Sequence, residues 1–192
     1  MVPSIFLIIV GYFIGAIPFG YIAGKLRGID IRKYGSGNIG STNVSRVLGR
    51  KTGITVQVLD IAKGIIPVAA GKFLSLDPIV LVIICIVTIC GHNWTIFLGF
   101  KGGKGVNTSL GVALGLMPVN AMLCFVVWAL VVFVWKYISL GSIAGAVTFP
   151  ILAFVFREPL IFRIMAIIVA LFIVIKHKSN IKRLIKGDEP KI

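Results

Sequence analysis

Acidic residues are scarce in this chain. Only 6 Asp and Glu occur among 192 residues, against 20 Lys and Arg, and the four types together make up 14%. A soluble domain carries about 25% charged residues and about 45–50% apolar ones. Here 58% are hydrophobic and mean hydropathy is +1.04. A soluble fold of this length could not bury so much apolar surface, which excludes a soluble enzyme and a disordered chain. The three cysteines, Cys85, Cys90 and Cys124, sit inside apolar runs without ligand spacing, so neither a disulfide scaffold nor a zinc site is expected. Carboxylates are too few for a dedicated Mg²⁺ cage. There are two histidines, His92 and His177, and neither starts an H-x-x-x-x-D pattern, since Phe97 and Lys182 stand at the acid position. No G-x-S-x-G elbow occurs, because Ser36 lies within Tyr34-Gly35-Ser36-Gly37-Asn38.

What is abundant is apolar sequence in blocks. A helix crossing the ~30 Å hydrocarbon core needs about 20 apolar residues. Seven blocks qualify as candidates: Ile5–Gly24, Thr52–Gly71, Ile79–Leu98, the short Gly105–Met117, Val119–Trp135, Tyr137–Phe156 and Leu160–Ile175. The first has no basic n-region and runs into a glycine-rich loop, so it is not read as a secretory signal. Alternate loops divide the cations sixteen to three, with only Lys72, Arg157 and Arg163 on the poorer side and Lys63 inside a span. The positive-inside rule then predicts an all-α polytopic membrane protein with seven transmembrane helices, the N-terminus outside and the C-terminus cytoplasmic. The whole chain, 1–192, reads as one domain. The net charge of +14 is expected to face anionic lipid rather than nucleic acid. The outer turns are bare, no tail is long enough to fold alone, and the unusual loops all lie on the cytoplasmic side.

The first of these loops, residues 35–49, joins glycines and small polar residues to a short helical stretch. Glycine lets successive backbone N–H groups turn toward one anion. Ser41, Thr42 or Asn43 can cap the helix, and Arg46, about one turn inside, can fork onto phosphate oxygens. The second loop, Gly99 to Thr108, is another glycine-rich turn at a helix start and contains Lys104. It is not a Walker A motif, since Val106 follows Gly105. Either loop alone is equally a flexible turn or a topology signal; two on one face favour a site for two phosphorylated ligands or for a diphosphate. Gly37, Gly40, Gly102 and Gly103 are expected to adopt positive φ or to let the backbone approach phosphate closely. Asp60 and Lys63, three apart in the second span, are expected to form a structural ion pair. Ser139 and Ser142 open the sixth span, where a serine first of all caps a helix. His177 and Asn180 share a helix face if the last helix continues past the membrane.

Four stretches carry a more specific signal: GSGNIGSTNVSRVLG at 35–49, LDIAKGIIPV at 59–68, GHNWTIFLGFKGGKGV at 91–106 and HKSNIKRLIKGDEPK at 177–191. In order and nearly end to end, the chain resembles the bacterial acyl-phosphate:glycerol-3-phosphate acyltransferases of the PlsY type. Ser41 stands where that family often has Ala, and Thr95 where Pro or Ser is common. The resemblance implies transfer of a fatty acyl group from acyl phosphate to the sn-1 hydroxyl of glycerol-3-phosphate. The products would be lysophosphatidic acid and phosphate, in phospholipid biosynthesis, with no metal or cofactor. It implies a multi-pass protein of the bacterial cytoplasmic (inner) membrane with its active site facing the cytoplasm.

Matching these motifs to the loop chemistry makes Lys104, Arg46 and His177 the candidate catalytic residues. The general base stays open between His177, His92 and a substrate phosphate. Ser36, Gly37, Asn38, Gly40, Ser41, Thr42, Asn43, Gly102, Gly103, Gly105, Ser142 and Asn180 are the candidate substrate-binding residues. The partners implied are acyl phosphate, glycerol-3-phosphate and the bilayer; the sequence sets no oligomeric state and admits a monomer. The competing class is a small membrane transporter of an anionic phosphate ester, which would need polar groups on both faces.

Overall fold

A computed structural model describes residues 2–192. The described residues form ten α-helices and two short 3₁₀ turns. In chain order the helices are α1 (Val2–Ala16), α2 (Phe19–Lys25), α3 (Ser41–Leu48), α4 (Arg50–Phe73), α5 (Pro78–Asn93), α6 (Val106–Leu116), α7 (Pro118–Trp135), α8 (Ile138–Val155), α9 (Leu160–Lys176) and α10 (Lys178–Lys186). They group into two compact units, one ending at Gly115 and the other running Leu116–Ile192.

Every apolar block of the sequence is helical, but the blocks are not seven equivalent spans. Four helical stretches are long and apolar enough to cross a membrane: Arg50–Phe73, Pro78–Leu98, Pro118–Trp135 and Ile138–Val155. Two bent pairs, α1 with α2 at 41° and α9 with α10 at 58°, raise the number to 6 if each pair is one span. The block expected to span as Gly105–Met117 contains only the 11 residues of α6, about 16 Å at 1.5 Å per residue and so about half the hydrocarbon thickness. Pro118 starts the next helix and stops this one.

In the first unit α5 packs against α1 and α4. Glycine permits that approach. A Cβ on Gly15 would collide with the Thr88 carbonyl, and one on Gly91 with the Tyr12 carbonyl. The same device joins α4 to α6, where a Cβ on Gly64 would meet the Thr108 carbonyl and one on Gly111 the Ile61 carbonyl. Such backbone contact replaces the hydrophobic driving force that lipid cannot supply between helices.

The break between α1 and α2 falls at Pro18, which has no N–H to continue the ladder. Two carbonyls freed there find side-chain donors. Thr95 Oγ1 donates to Ala16 O at 2.6 Å and Lys63 Nζ to Ile17 O at 2.8 Å. In a bilayer such partners are obligatory, because no water can replace them. Below this break a small apolar core of Ile31, Ile39, Val44 and Val56, flanked by Phe19 and Leu98, supports the first glycine loop. In the second unit α8 lies between α7 and α9.

Candidate active site

The first loop is built around one buried amide. Asn43, 2% exposed, accepts from the Ser36 N–H at 2.8 Å through Oδ1. Its Nδ2 donates to Asn38 O at 2.9 Å and Tyr34 O at 3.1 Å. Asn38 Oδ1 in turn accepts from the Gly40 N–H at 2.7 Å. Both asparagines, expected among the substrate ligands, thus shape the loop backbone. Neither Ser41, Thr42 nor Asn43 caps α3. They are its first three residues, and the N-cap is Gly40, which has no side chain to close the helix start. Uncapped N–H groups and the helix dipole leave positive potential there. Gly37 takes φ +71° as expected and Gly35 does so too at +59°, while Gly40 lies at −73°. Arg46 is exposed and Ser36 lies at the surface of the loop.

The second loop is strapped to the end of α5. The Gly102 N–H donates to Asn93 O at 3.2 Å and the Gly103 N–H to His92 O at 3.0 Å. Neither glycine has positive φ, in contrast to Gly99 and Gly105. Their requirement is space instead. A Cβ on Gly102 would strike the His92 carbonyl, and one on Gly103 would strike His92 Nε2. Gly105 carries the conformational demand, φ +80°, directly before α6.

His92 connects this loop to the buried ion pair. Lys63 Nζ lies 2.7 Å from Asp60 Oδ1, with both side chains no more than 3% exposed. His92 Nδ1 is 3.7 Å from the same carboxylate oxygen. Removing one partner of a buried pair typically costs about 3–5 kcal/mol, so the pair, both members on α4, strongly fixes the Lys63 ammonium that reaches Ile17 O. The two loops come together as well. Asn107 Nδ2, in the first turn of α6, donates to Ser41 Oγ, the first residue of α3, at 2.9 Å across 66 residues of chain. The glycine-bordered starts of α3 and α6 therefore belong to one place in the first unit, with Lys104 two residues before α6 and Arg46 in the last turn of α3.

A family model described as glycerol-3-phosphate acyltransferase matches residues 5–187. The glycerol-3-phosphate acyltransferase of Desulforamulus reducens is 45% identical over 192 residues, covering 100% of this chain and 96% of that one. The chain belongs to the glycerol-3-phosphate acyltransferase family, PlsY type. The glycerol-3-phosphate acyltransferase of Aquifex aeolicus is 43% identical, covering 97% of each chain. Two crystal structures of PlsY (YgiH), an integral membrane glycerol 3-phosphate acyltransferase, are similar to this fold. The glycerol 3-phosphate form superposes with a TM-score of 0.94 at 42% identity, covering 99% of this chain and 96% of that one. For the lysophosphatidic acid form the TM-score is 0.91.

The remaining sequence candidates of this PlsY-type acyltransferase lie in the second unit. The helix does not continue past the membrane as one rod. His177 lies between α9 and α10, as the C-cap of one and the N-cap of the other, yet His177 and Asn180 are both buried, 3% and 5% exposed. His177 Nδ1 is 2.8 Å from Ile173 O. A carbonyl there requires the proton on Nδ1, which puts the lone pair of the neutral ring on Nε2. The Ser142 hydroxyl donates to Ile138 O within its own helix at 2.9 Å.

Ser139 caps nothing either; its hydroxyl donates to Glu189 Oε1 at 2.6 Å. Asn180 Nδ2 donates to the same oxygen at 2.7 Å and Arg183 Nε to Oε2 at 2.7 Å. Sequence reasoning passed over Glu189, although it is one of only six acids and lies within the fourth motif. Burial pushes its carboxyl up, but the bonds from Ser139, Asn180 and Arg183 outweigh that and leave its pKa below the usual value. At the other loop margin the Arg32 guanidinium holds the Asp30 carboxyl down at about 2. Among the described residues no cluster of three metal-ligating side chains occurs.

Proposed function

We propose that this acyltransferase moves a fatty acyl group from acyl phosphate to the sn-1 hydroxyl of glycerol-3-phosphate, releasing lysophosphatidic acid and inorganic phosphate for phospholipid synthesis. The hydroxyl oxygen attacks the acyl carbon, the bond from that carbon to the phosphate oxygen breaks, and phosphate leaves with the electron pair. The hydroxyl proton passes to His177 Nε2, His92 or a substrate phosphate. The donor is already activated, so positioning and charge stabilisation are the main demands on the protein. One observation supports this reading: the Asn107–Ser41 bond, which joins the glycine-bordered starts of α3 and α6, with Lys104 two residues before α6 and Arg46 further along α3. Two phosphates need two such cradles, and Arg46 and Lys104 supply fork and point charge to them. Ser41 reports this approach rather than creates it, so Ser41→Ala is expected to be mild.

The same reading sets the protein in a bacterial cytoplasmic membrane with seven membrane-inserted segments, α6 a half-length one, and with Arg46, Lys104 and the tail on the cytoplasmic side. An impermeant thiol reagent should leave a cysteine at position 104 unlabelled in intact cells and label one at position 157. Activity is tested with purified protein, acyl phosphate and labelled glycerol-3-phosphate, with acyl-CoA as control donor. Labelled lysophosphatidic acid from acyl phosphate alone is expected. Uptake of label into vesicles without product would replace the enzyme by a transporter.

A further inference from the structure

Helix α10 presents three faces. Counting 100° per residue, Asn180, Arg183 and Leu184 fall on one side, where Asn180 and Arg183 grip Glu189. Lys178, Lys182 and Lys186 recur every fourth residue on a second stripe, and all three are exposed. Ile181 and Ile185 form a third stripe between them, with Ile185 82% exposed. An open groove at the elbow between α9 and α10, lined by Val174, Ile175, Lys178 and Ile181, extends the apolar stripe toward α9. The Glu189 clasp holds the helix by its polar side and turns the other two stripes outward.

An isoleucine so exposed is costly in water, and three lysines in a row repel one another. Both become favourable where an apolar layer meets a layer of negative charge. The α10 axis departs from that of α9 by 58°, which takes it off the line of a spanning helix. We propose that α10 is an in-plane interfacial helix that docks on anionic phospholipid. Ile181, Ile185 and the elbow groove enter the acyl region, and Lys178, Lys182 and Lys186 hold headgroup phosphates. This surface is independent of the acyl-transfer chemistry and rests only on the protein being an integral membrane protein.

Each lysine near an anionic surface contributes about fivefold in affinity, on the order of 100-fold for three. Hydrogen exchange of α10 amides is measured with the whole protein in nanodiscs of phosphatidylcholine alone or with phosphatidylglycerol added. At least tenfold slower exchange in α10 is expected with phosphatidylglycerol and not in α5. High salt should abolish the difference, because the Debye length shrinks to about 3 Å at 1 M. The combined K178Q, K182Q and K186Q variant should lose it too, and Ile185→Gln, which removes no packed contact, should reduce it. Equal exchange in the two disc types overturns the proposal. So does protection in phosphatidylcholine discs on adding inorganic phosphate, which would make this a free-phosphate site. Protection there on adding polyglutamate, which would make it a surface for an acidic protein, overturns it as well.

Discussion

Replacing Gly103 by alanine tests whether the second loop is held by contact with His92. The added Cβ would fall on His92 Nε2, and His92 is 5% exposed, so the ring has no open space to swing into. On its other side Nδ1 already lies 3.7 Å from Asp60. The clash must therefore move either the ring against the ion pair or the loop away from α5. Overpacking of this kind costs about 1–3 kcal/mol. If the loop yields, that cost appears in glycerol-3-phosphate binding as a Kd raised about 5- to 150-fold, at ~1.4 kcal/mol per decade. Gly102→Ala is a harsher change, since its Cβ meets the His92 carbonyl, which no rotamer relieves; it should fail to accumulate in the membrane. The double variant His92→Ala, Gly103→Ala removes the obstacle. A double-mutant cycle on Kd, by calorimetry in detergent, should show the second change tolerated once the first is made. An unchanged Kd in Gly103→Ala, or strictly additive losses in the double variant, would refute the contact as the cause.

The charged groups and the tail give further expectations. Arg46→Ala and Lys104→Ala should each lower kcat/KM about 10–100-fold with normal membrane levels, and Arg46→Lys should recover little because a point charge does not replace a fork; full turnover in both alanine variants defeats the two-phosphate site. Glu189 has a depressed folded pKa, so its contribution is complete above the unfolded value of about 4.3 and is lost as pH falls through the folded one. Glu189→Gln should make α10 exchange at neutral pH as it does in the wild type in acid, with a loss of about 1–3 kcal/mol, smaller for the Arg183 share because that side chain is 35% exposed. If His177 Nε2 takes the hydroxyl proton, His177→Asn should abolish the rising limb of the pH–rate profile; a limb that survives transfers the role to His92 or a substrate phosphate.

Much about this protein was legible locally. Membrane insertion depends on the apolarity of about 20 consecutive residues, and each helical block could be read from its own composition. The glycine loops and the Asp60–Lys63 spacing were legible for the same reason, since their chemistry lies within a few residues of chain. Arg46 and Lys104 stand out because each sits inside its own loop. The family resemblance needed only the order of four contiguous motifs.

What the sequence could not decide were contacts between distant segments. Whether α6 spans or stops half-way depends on where Pro118 starts the next helix and on Gly64 and Gly111 packing backbone to backbone. Gly103 looks like a flexible loop residue until His92, 11 positions earlier, is folded against it. Asn43 looks like a cap or a ligand until Tyr34, Ser36 and Asn38 take up its amide. Lys63 reaches Ile17 across 46 residues and Thr95 reaches Ala16 across 79, and both partners exist only because Pro18 breaks the first helix. Glu189 gathers donors from α8 and α10. A polar group's role is set by whichever donor or acceptor it meets once water is excluded, and for Lys63, Thr95 and Glu189 those partners lie on other segments of the chain.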